Sequence, residues 1–405
     1  MSSTAHVSAQ AAAAAAWLTP EDCRLSDLLA VLDEQTRLED YPHASRVDQQ
    51  VLVYDSAAVR PQLADGEGRR EIQAELARAL SSGPGIVVFA RALDDESVLD
   101  RTTAAFNRMI ADQRSRGTAA GDHFAKPGAN DRVWNALEKL AVTDPEAFVA
   151  YYANDIVALA ATAWLGPGYQ VTSQVNVVNP GGAGQTVHRD YHLGFQSDEV
   201  CADYPAHVHA LSQVLTLQGA VAHCDMPVET GPTLYLPYSH QYEPGYLAFH
   251  LPEFTEYFGR HYTQLPLEKG DAAFFNPALF HGAGTNVSTD VRRMANLLQV
   301  SSPFGRSMET VDRAAMCRAL FPVLLELRAA GVSQEHLGNI IAAAAEGYAF
   351  PTNLDRDQPI GGIAPPTQAD LLHQALAEGW NREAFESALD AQAERSRPLD
   401  GRGAR

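Results

Sequence analysis

The stretch Asn179-Pro180-Gly181-Gly182-Ala183-Gly184-Gln185-Thr186-Val187-His188-Arg189-Asp190 governs how the rest of the chain is read. A glycine-rich turn leads into an imidazole and a carboxylate two positions apart. On extended backbone, residues i and i+2 point to the same face. His188 and Asp190 can therefore converge on one ion from a rigid support. A second histidine lies far downstream, in Gly270-Asp271-Ala272-Ala273-Phe274-Phe275-Asn276-Pro277-Ala278-Leu279-Phe280-His281-Gly282. Two histidines and one carboxylate leave half of a metal's coordination sphere open, the donor set of non-haem iron sites. Arg292 follows His281 by eleven residues, on the next predicted strand. A buried guanidinium there would grip a carboxylate in bidentate fashion.

Working outward, residues 169–300 read as short strand-like runs between Gly/Pro turns, at 169–178, 211–221, 233–237, 271–275 and 292–300. Such a run of short strands predicts an all-β sandwich or barrel. The flanks are helical. Thr19-Pro20-Glu21-Asp22 is a helix start, followed by Leu25, Leu28, Leu29 and Leu32 at helical spacing. Ile72, Leu76 and Leu80 share one face, and Ile86-Val87-Val88-Phe89 reads as a buried strand. Val98, Thr102, Phe106, Met109 and Ile110 mark another helix, and residues 147–165 a further helical stretch. Beyond Pro303 the chain turns helical again, with Met316, Leu320, Leu324 and Leu327 on one stripe. The expected organisation is a tail and packing helices over residues 1–82, a mainly β core with flanking α-helices over 83–304, and a helical extension over 305–405.

Composition narrows the function. The 405 residues are 46% apolar, enough for a large core. Thirty basic against fifty acidic residues give a formal charge of −20. That excludes a general nucleic-acid binder, which needs a basic stripe, and disfavours anionic membranes. The four cysteines form no CxxC pair, so neither a zinc ribbon nor a disulfide scaffold is expected. No run of about 18–20 apolar residues is present to span a bilayer. The alanines at 11–16 have no Lys or Arg before them and acids after them, unlike a signal peptide. A cytoplasmic location is expected.

The ordered set of motifs resembles one family. Gln185-Thr186-Val187-His188-Arg189-Asp190, then Glu229-Thr230-Gly231-Pro232-Thr233-Leu234-Tyr235-Leu236-Pro237-Tyr238-Ser239-His240, then Gly270-Asp271 through His281-Gly282-Ala283-Gly284 and Arg292, are similar to the phytanoyl-CoA dioxygenase family of Fe(II)/2-oxoglutarate-dependent oxygenases. The likeness runs over roughly residues 83–304. It implies a double-stranded β-helix, a jelly-roll or cupin-like barrel. It implies that His188, Asp190 and His281 hold Fe(II), and that Arg292 takes the distal carboxylate of 2-oxoglutarate. Arg293 is expected on the opposite side of the strand. Asn176 and Gln185 are further cosubstrate contacts by the same likeness. With O₂, the implied reaction hydroxylates an unactivated C–H of a small-molecule or acyl metabolite and releases succinate and CO₂. Relatives that halogenate carry Gly or Ala where Asp190 stands, so the carboxylate favours hydroxylation. Tyr238 replaces a family glycine.

Substrate contacts are expected from the irregular stretch before the core, at His123, Lys126 and Trp134, folding over the mouth. The alternatives are core packing for Trp134 and solvated surface for Lys126. Tyr191, His192 and Phe195 follow the His-x-Asp pair and are expected at the pocket. His207-x-His209 would alternate on a strand, but no carboxylate stands at matching spacing, so a loop or pocket-rim role is expected instead of a metal site. Other classes fit less well. His188-Arg189-Asp190 spells a kinase catalytic loop, but Phe195 stands where that loop needs Asn. The glycine-rich turn lacks the Lys-Ser/Thr of a phosphate loop. A zinc-dependent hydrolase and a small-molecule-binding barrel without turnover remain the alternatives. The sequence sets no oligomeric state.

Overall fold

The computed structural model describes residues 16–117 and 128–398. Strands are β1 (Arg46–Asp48), β2 (Val51–Asp55), β3 (Ile86–Ala90), β4 (Asn130–Val133), β5 (Gln170–Val178), β6 (Thr216–Ala222), β7 (Leu234–Leu236), β8 (Thr263–Gln264), β9 (Ala272–Phe275), β10 (Phe280–Gly282) and β11 (Arg293–Ser301). They form a large sheet, ordered β1-β2-β3-β9-β6-β11-β5-β4, and a small sheet, ordered β10-β7-β8. Only β2 and β3 pair in parallel; the other ladders among the described residues are antiparallel.

Period-two alternation explains the layering. In β2, Leu52 and Tyr54 face a layer of helices, while Val51 and Val53 face the small sheet. In β3, Val87 and Phe89 take the helix side, and Ile86 and Val88 the other. In β11, Met294, Leu298 and Val300 pack under the helices, and Arg293, Ala295, Leu297 and Gln299 turn inward onto a cavity. Helices Gly66–Ser81, Glu96–Ser115, Ala136–Thr143, Pro145–Tyr152 and Asp155–Leu165 cover the outer face.

The β core with flanking helices is as the sequence predicts, with one correction: the sheets do not close into a barrel. Glycine- and proline-containing backbone from 180 to 187 forms no ladder, so the small sheet is prolonged only by an isolated bridge between His188 and His281. The N-terminal segment is also more than packing helices, because β1 and β2 join the large sheet. The predicted strand at 211–221 begins only at Thr216. Before it lies a helix, Ala206–Val214, whose buried residues Ala206, His209 and Ser212 recur every third position. His207 and His209 thus sit on a helix, and His209 Nε2 lies 2.9 Å from the Cys201 carbonyl oxygen. No single helix among the described residues is long and apolar enough to cross a membrane.

Helices Arg313–Ala329, Gln334–Ala344 and Arg382–Ser396 share the core of the outer face. Phe321 stacks on Phe385 with ring centroids 4.1 Å apart, both fully buried. Phe321→Ala is expected to lower unfolding stability by about 3–5 kcal/mol. A urea titration followed by circular dichroism checks this. A loss under about 1 kcal/mol would mean the C-terminal helices dock weakly.

Two buried histidines tie the layers. His223 directly follows β6, with Nδ1 2.8 Å from Thr103 Oγ1 and Nε2 3.0 Å from the Tyr151 hydroxyl. Burial, helped by Lys269, pushes its pKa down to about 3. His240 Nε2 is 3.0 Å from the Ser81 carbonyl oxygen. Burial pushes it to about 3 as well, against the Ser81 carbonyl, which works the other way. In the unfolded chain both titrate near the ordinary value of about 6.5. Between about pH 6.5 and 3 the unfolded state therefore binds protons that the folded state refuses. Stability is expected to be full above pH 7 and to fall as pH drops through this window. Urea midpoints at pH 7.5, 6 and 5 test it, and His223→Phe should flatten the decline. A midpoint that stays constant down to pH 5 would contradict the assignment.

Candidate metal centre and its cavity

Backbone pairing places the three predicted ligands. The His188 N–H donates to the His281 carbonyl at 2.9 Å, and the His281 N–H returns a bond to His188 at 3.1 Å. The Asp190 N–H donates to the Pro277 carbonyl at 2.9 Å. Their ligand atoms all lie within 4.8 Å of one another. His188 Nε2 is 3.8 Å from Asp190 Oδ1, and His281 Nε2 is 3.4 Å from Asp190 Oδ2.

The tautomers are set by the backbone. His188 Nδ1 lies 2.8 Å from the Thr186 carbonyl oxygen, and His281 Nδ1 lies 2.7 Å from that of Leu279. A carbonyl only accepts, so each Nδ1 carries the proton and each Nε2 offers its lone pair to the common point. Gln218 Nε2 donates to Asp190 Oδ2. Burial works to raise the Asp190 pKa. The imidazoles of His188 and His281 and the Gln218 amide outweigh it and hold the carboxyl well below its usual range.

Arg189, between the ligands, points the opposite way and is buried. It donates to the carbonyls of Ser239 at 2.6 Å and Tyr242 at 2.9 Å. Its guanidinium lies 5.0 Å from the Tyr246 ring centroid and 5.1 Å from that of Phe280. A Cβ on Gly245 would sit 1.9 Å from Arg189 Cζ, so any side chain there would displace the guanidinium. This arginine fastens the turn after β7 to the ligand-bearing segment.

The triad opens onto a cavity of about 510 Å³, within the usual range for a small-molecule site. Its far wall is the inner face of the large sheet, with Gln174, Asn176, Gln218, Arg293 and Gln299. Of the two adjacent arginines, the cavity wall carries Arg293 and not the expected Arg292. Arg292 does not line the cavity; its side chain is 48% exposed, its Nε donates to Asn179 Oδ1 at 3.2 Å, and its Nη2 is 3.6 Å from Asp131 Oδ2. Arg293 lines the cavity and is 6% exposed. Its Nη1 donates to the Gly284 carbonyl at 3.5 Å, and no carboxylate pairs with it among the described residues. Burial pushes its pKa down to about 10, against Cys224 and Tyr235. The cause is strand phase: Met294, Leu298 and Val300 occupy the helix side, so odd-numbered positions of β11 face inward.

Asn176 lines the cavity, and its Oδ1 is buried without a hydrogen-bond partner. Gln185 also lines it, and its Oε1 accepts from the Ala283 N–H at 3.2 Å. Trp134 is on the wall, with the Arg132 guanidinium 4.7 Å from its ring centroid. Phe195 lines the mouth and is 55% exposed. Tyr191 and His192 do not line the cavity. Both have positive φ, 60° and 40°, and this sharp turn sends the Tyr191 ring inward against Phe195 at 5.4 Å. His123 and Lys126 lie outside the described residues. Gln218, Gln299 and Arg132 were not singled out from sequence. For Gln218 and Gln299 the signal was a polar residue among apolar neighbours on a buried strand; the polar strand of Arg132 offered none.

The donor set fits a mononuclear metal: two neutral imidazole nitrogens and one carboxylate around one point, open on the cavity side. The unpaired buried guanidinium of Arg293 fits an anionic partner entering the same cavity. These features define a two-histidine, one-carboxylate metal enzyme class. The model of the phytanoyl-CoA dioxygenase (PhyH) family matches residues 82–294, a little over half of the chain, and the chain belongs to that family. With the family comes the class, a non-haem iron enzyme that depends on 2-oxoglutarate. No curated protein matches the chain. Among solved structures, the chain is similar to the non-haem alpha-ketoglutarate-dependent epimerase SnoN of nogalamycin biosynthesis, at 19% identity, covering 59% of this chain and 82% of that one, with a TM-score of 0.39. The carbocyclase SnoK of the same biosynthesis gives 21% identity, 59% and 84% coverage and a TM-score of 0.39. HygX from Streptomyces hygroscopicus, with nickel, 2-oxoglutarate and hygromycin B bound, gives 14% identity, 56% and 87% coverage and a TM-score of 0.40.

Proposed function

We propose that the protein is a hydroxylase acting on an unactivated C–H bond of a small-molecule or acyl substrate, with 2-oxoglutarate converted to succinate and CO₂. The observation that carries this is the meeting of His188, Asp190 and His281 around one point, in a cavity that also buries the unpaired Arg293. His188 Nε2, His281 Nε2 and the Asp190 carboxylate hold the iron. Arg293, rather than Arg292, grips the distal carboxylate of 2-oxoglutarate, and the Asn176 amide contacts the cosubstrate beside it. Gln185, engaged by the Ala283 N–H, holds the glycine-rich turn in place. Iron and 2-oxoglutarate supply the oxidising chemistry; the chain supplies orientation and a shielded pocket. A carboxylate at position 190 occupies the place a halogenating relative leaves open. A zinc hydrolase or a simple binder has no use for a buried guanidinium facing the metal ligands. Four free cysteines accord with a reducing cytoplasm.

Anaerobic addition of Fe(II) and 2-oxoglutarate tests the reading. A weak visible charge-transfer band of the chelate is expected, and succinate should form when oxygen is admitted. A metal-loaded protein that gives neither signal would leave the hydrolase or the binder as the better reading.

A further inference from the structure

The inward positions of β11 run from Arg293 through Ala295 and Leu297 to Gln299. First and last are separated by about 20 Å of strand rise. Arg293 therefore stands at one end of the cavity wall and Gln299 at the other. Gln299 is in register with Gln218 of β6, and Gln174 of β5 is in register with Leu297. Three glutamines on three neighbouring strands thus make a diagonal stripe of amides. Gln218 is the residue whose amide donates to Asp190.

Two members of the stripe are unsatisfied. Gln218 is 3% exposed and Gln299 7%, and the side-chain oxygen of each is buried without a donor. Gln174 spends its amide on the Met308 sulfur at 3.1 Å, with the Glu309 carboxylate as a further partner. Unsatisfied buried amides cost stability, so a wall that keeps them beside a metal site is built for a ligand that completes them. Among the described residues, charge at the wall is confined to His188, Asp190, His281 and three arginines. Arg189 is turned onto Ser239 and Tyr242, Arg293 is assigned to the cosubstrate, and Arg132 lies over Trp134. Phe195 adds an exposed aromatic face.

We propose that the substrate is a neutral ring compound carrying hydroxyl or amide groups, read by the Gln218–Gln299 pair and stacked on Phe195. This rests on the function proposed above. A coenzyme A thioester needs cations for its phosphates. A bare hydrocarbon chain would leave the amides unpaired, and a site built to hydrogen-bond its substrate rejects such a compound strongly.

The test starts from the anaerobic Fe(II)–2-oxoglutarate complex of the full chain. Adenosine and 4-nitrophenyl β-D-glucoside are the neutral probes; octanoyl-CoA and decanoate are the contrasts. The neutral probes are expected to shift the charge-transfer band and to raise succinate release on oxygenation. Gln299→Leu should weaken their binding at least tenfold while 2-oxoglutarate titrates as in the wild type. Preference for octanoyl-CoA or decanoate, or no response to either neutral probe, overturns the proposal. So does neutral-probe binding that Gln299→Leu leaves intact. If Gln299→Leu does not fold, the wild-type panel decides alone. Absence of the band in the wild type, before any probe is added, counts against the function proposed above and not against the amide stripe.

Discussion

Asp190→Ala is expected to abolish turnover and to weaken metal binding by more than about 100-fold, since even outer partners of metal ligands are worth about 10–100-fold. Asp190 supplies the only negative charge among the three; each imidazole keeps its Nδ1–H on a backbone carbonyl and turns Nε2 toward the carboxylate. Its low pKa, set by the flanking imidazoles and the Gln218 amide, keeps it ionised across neutral pH. Removing it leaves two neutral nitrogens facing a cavity and strands the Gln218 amide as well. The fold should survive, because the Asp190 backbone bond to Pro277 does not involve the side chain. Anaerobic titration with Co(II) by calorimetry, beside a thermal melt, separates lost metal from lost fold. Wild-type affinity or measurable product from the variant would remove Asp190 from the metal shell.

The grouping of His188, Asp190 and His281 was legible in the sequence because chemistry and spacing coincide. His188 and Asp190 needed only extended backbone, and they have it even though His188 makes a single bridge rather than a strand. His281 was found through the order of motifs, not through spacing. Strand phase was harder to read. Position 292 or 293 depends on which face of β11 meets the helices, and here the inward face is the polar one, bearing Arg293 and Gln299. The apolar alternation of Met294, Leu298 and Val300 carries that information, and it puts Arg292, the residue before the strand, out of phase with the cavity. Two-residue spacing at His207-x-His209 does not separate strand, loop or helix; the three-residue rhythm of Ala206, His209 and Ser212 does, and it gives a helix. β1 and β2 escaped notice because their turn is made by Gln49 and Gln50 at φ 47° and 71°. Hairpin turns of that shape are usually announced by Asn or Gly. The amphipathic stripe of Arg313–Ala329 was evident, whereas its stacking partner Phe385 lies in a different helix and only packing reveals it.

Arg293→Ala is expected to raise the 2-oxoglutarate requirement by roughly 10²- to 10³-fold. Breaking a buried charge pair from one side costs on the order of 3–5 kcal/mol, and each 1.4 kcal/mol or so is a factor of ten. Arg292→Ala should change the same constant by less than about fivefold, because an exposed ion pair is worth under about 1 kcal/mol. Asp131, the acid near Arg292, already has a two-pronged partner in Arg114, at 2.9 and 2.6 Å, and loses little when Arg292 is gone. Arg293→Lys should recover part of the loss, since an ammonium keeps the charge but not the planar fork. Burial brings Arg293 down only to about 10, so it stays protonated at neutral pH. The Michaelis constant for 2-oxoglutarate should then gain no Arg293-dependent rise until the solution approaches that value. Steady-state succinate release at varied 2-oxoglutarate, for both alanine variants side by side, reads the contrast directly. A large effect at 292 with none at 293 would return the anchoring role to the exposed arginine, and would require the inward face of β11 to be the one that now packs against the helices.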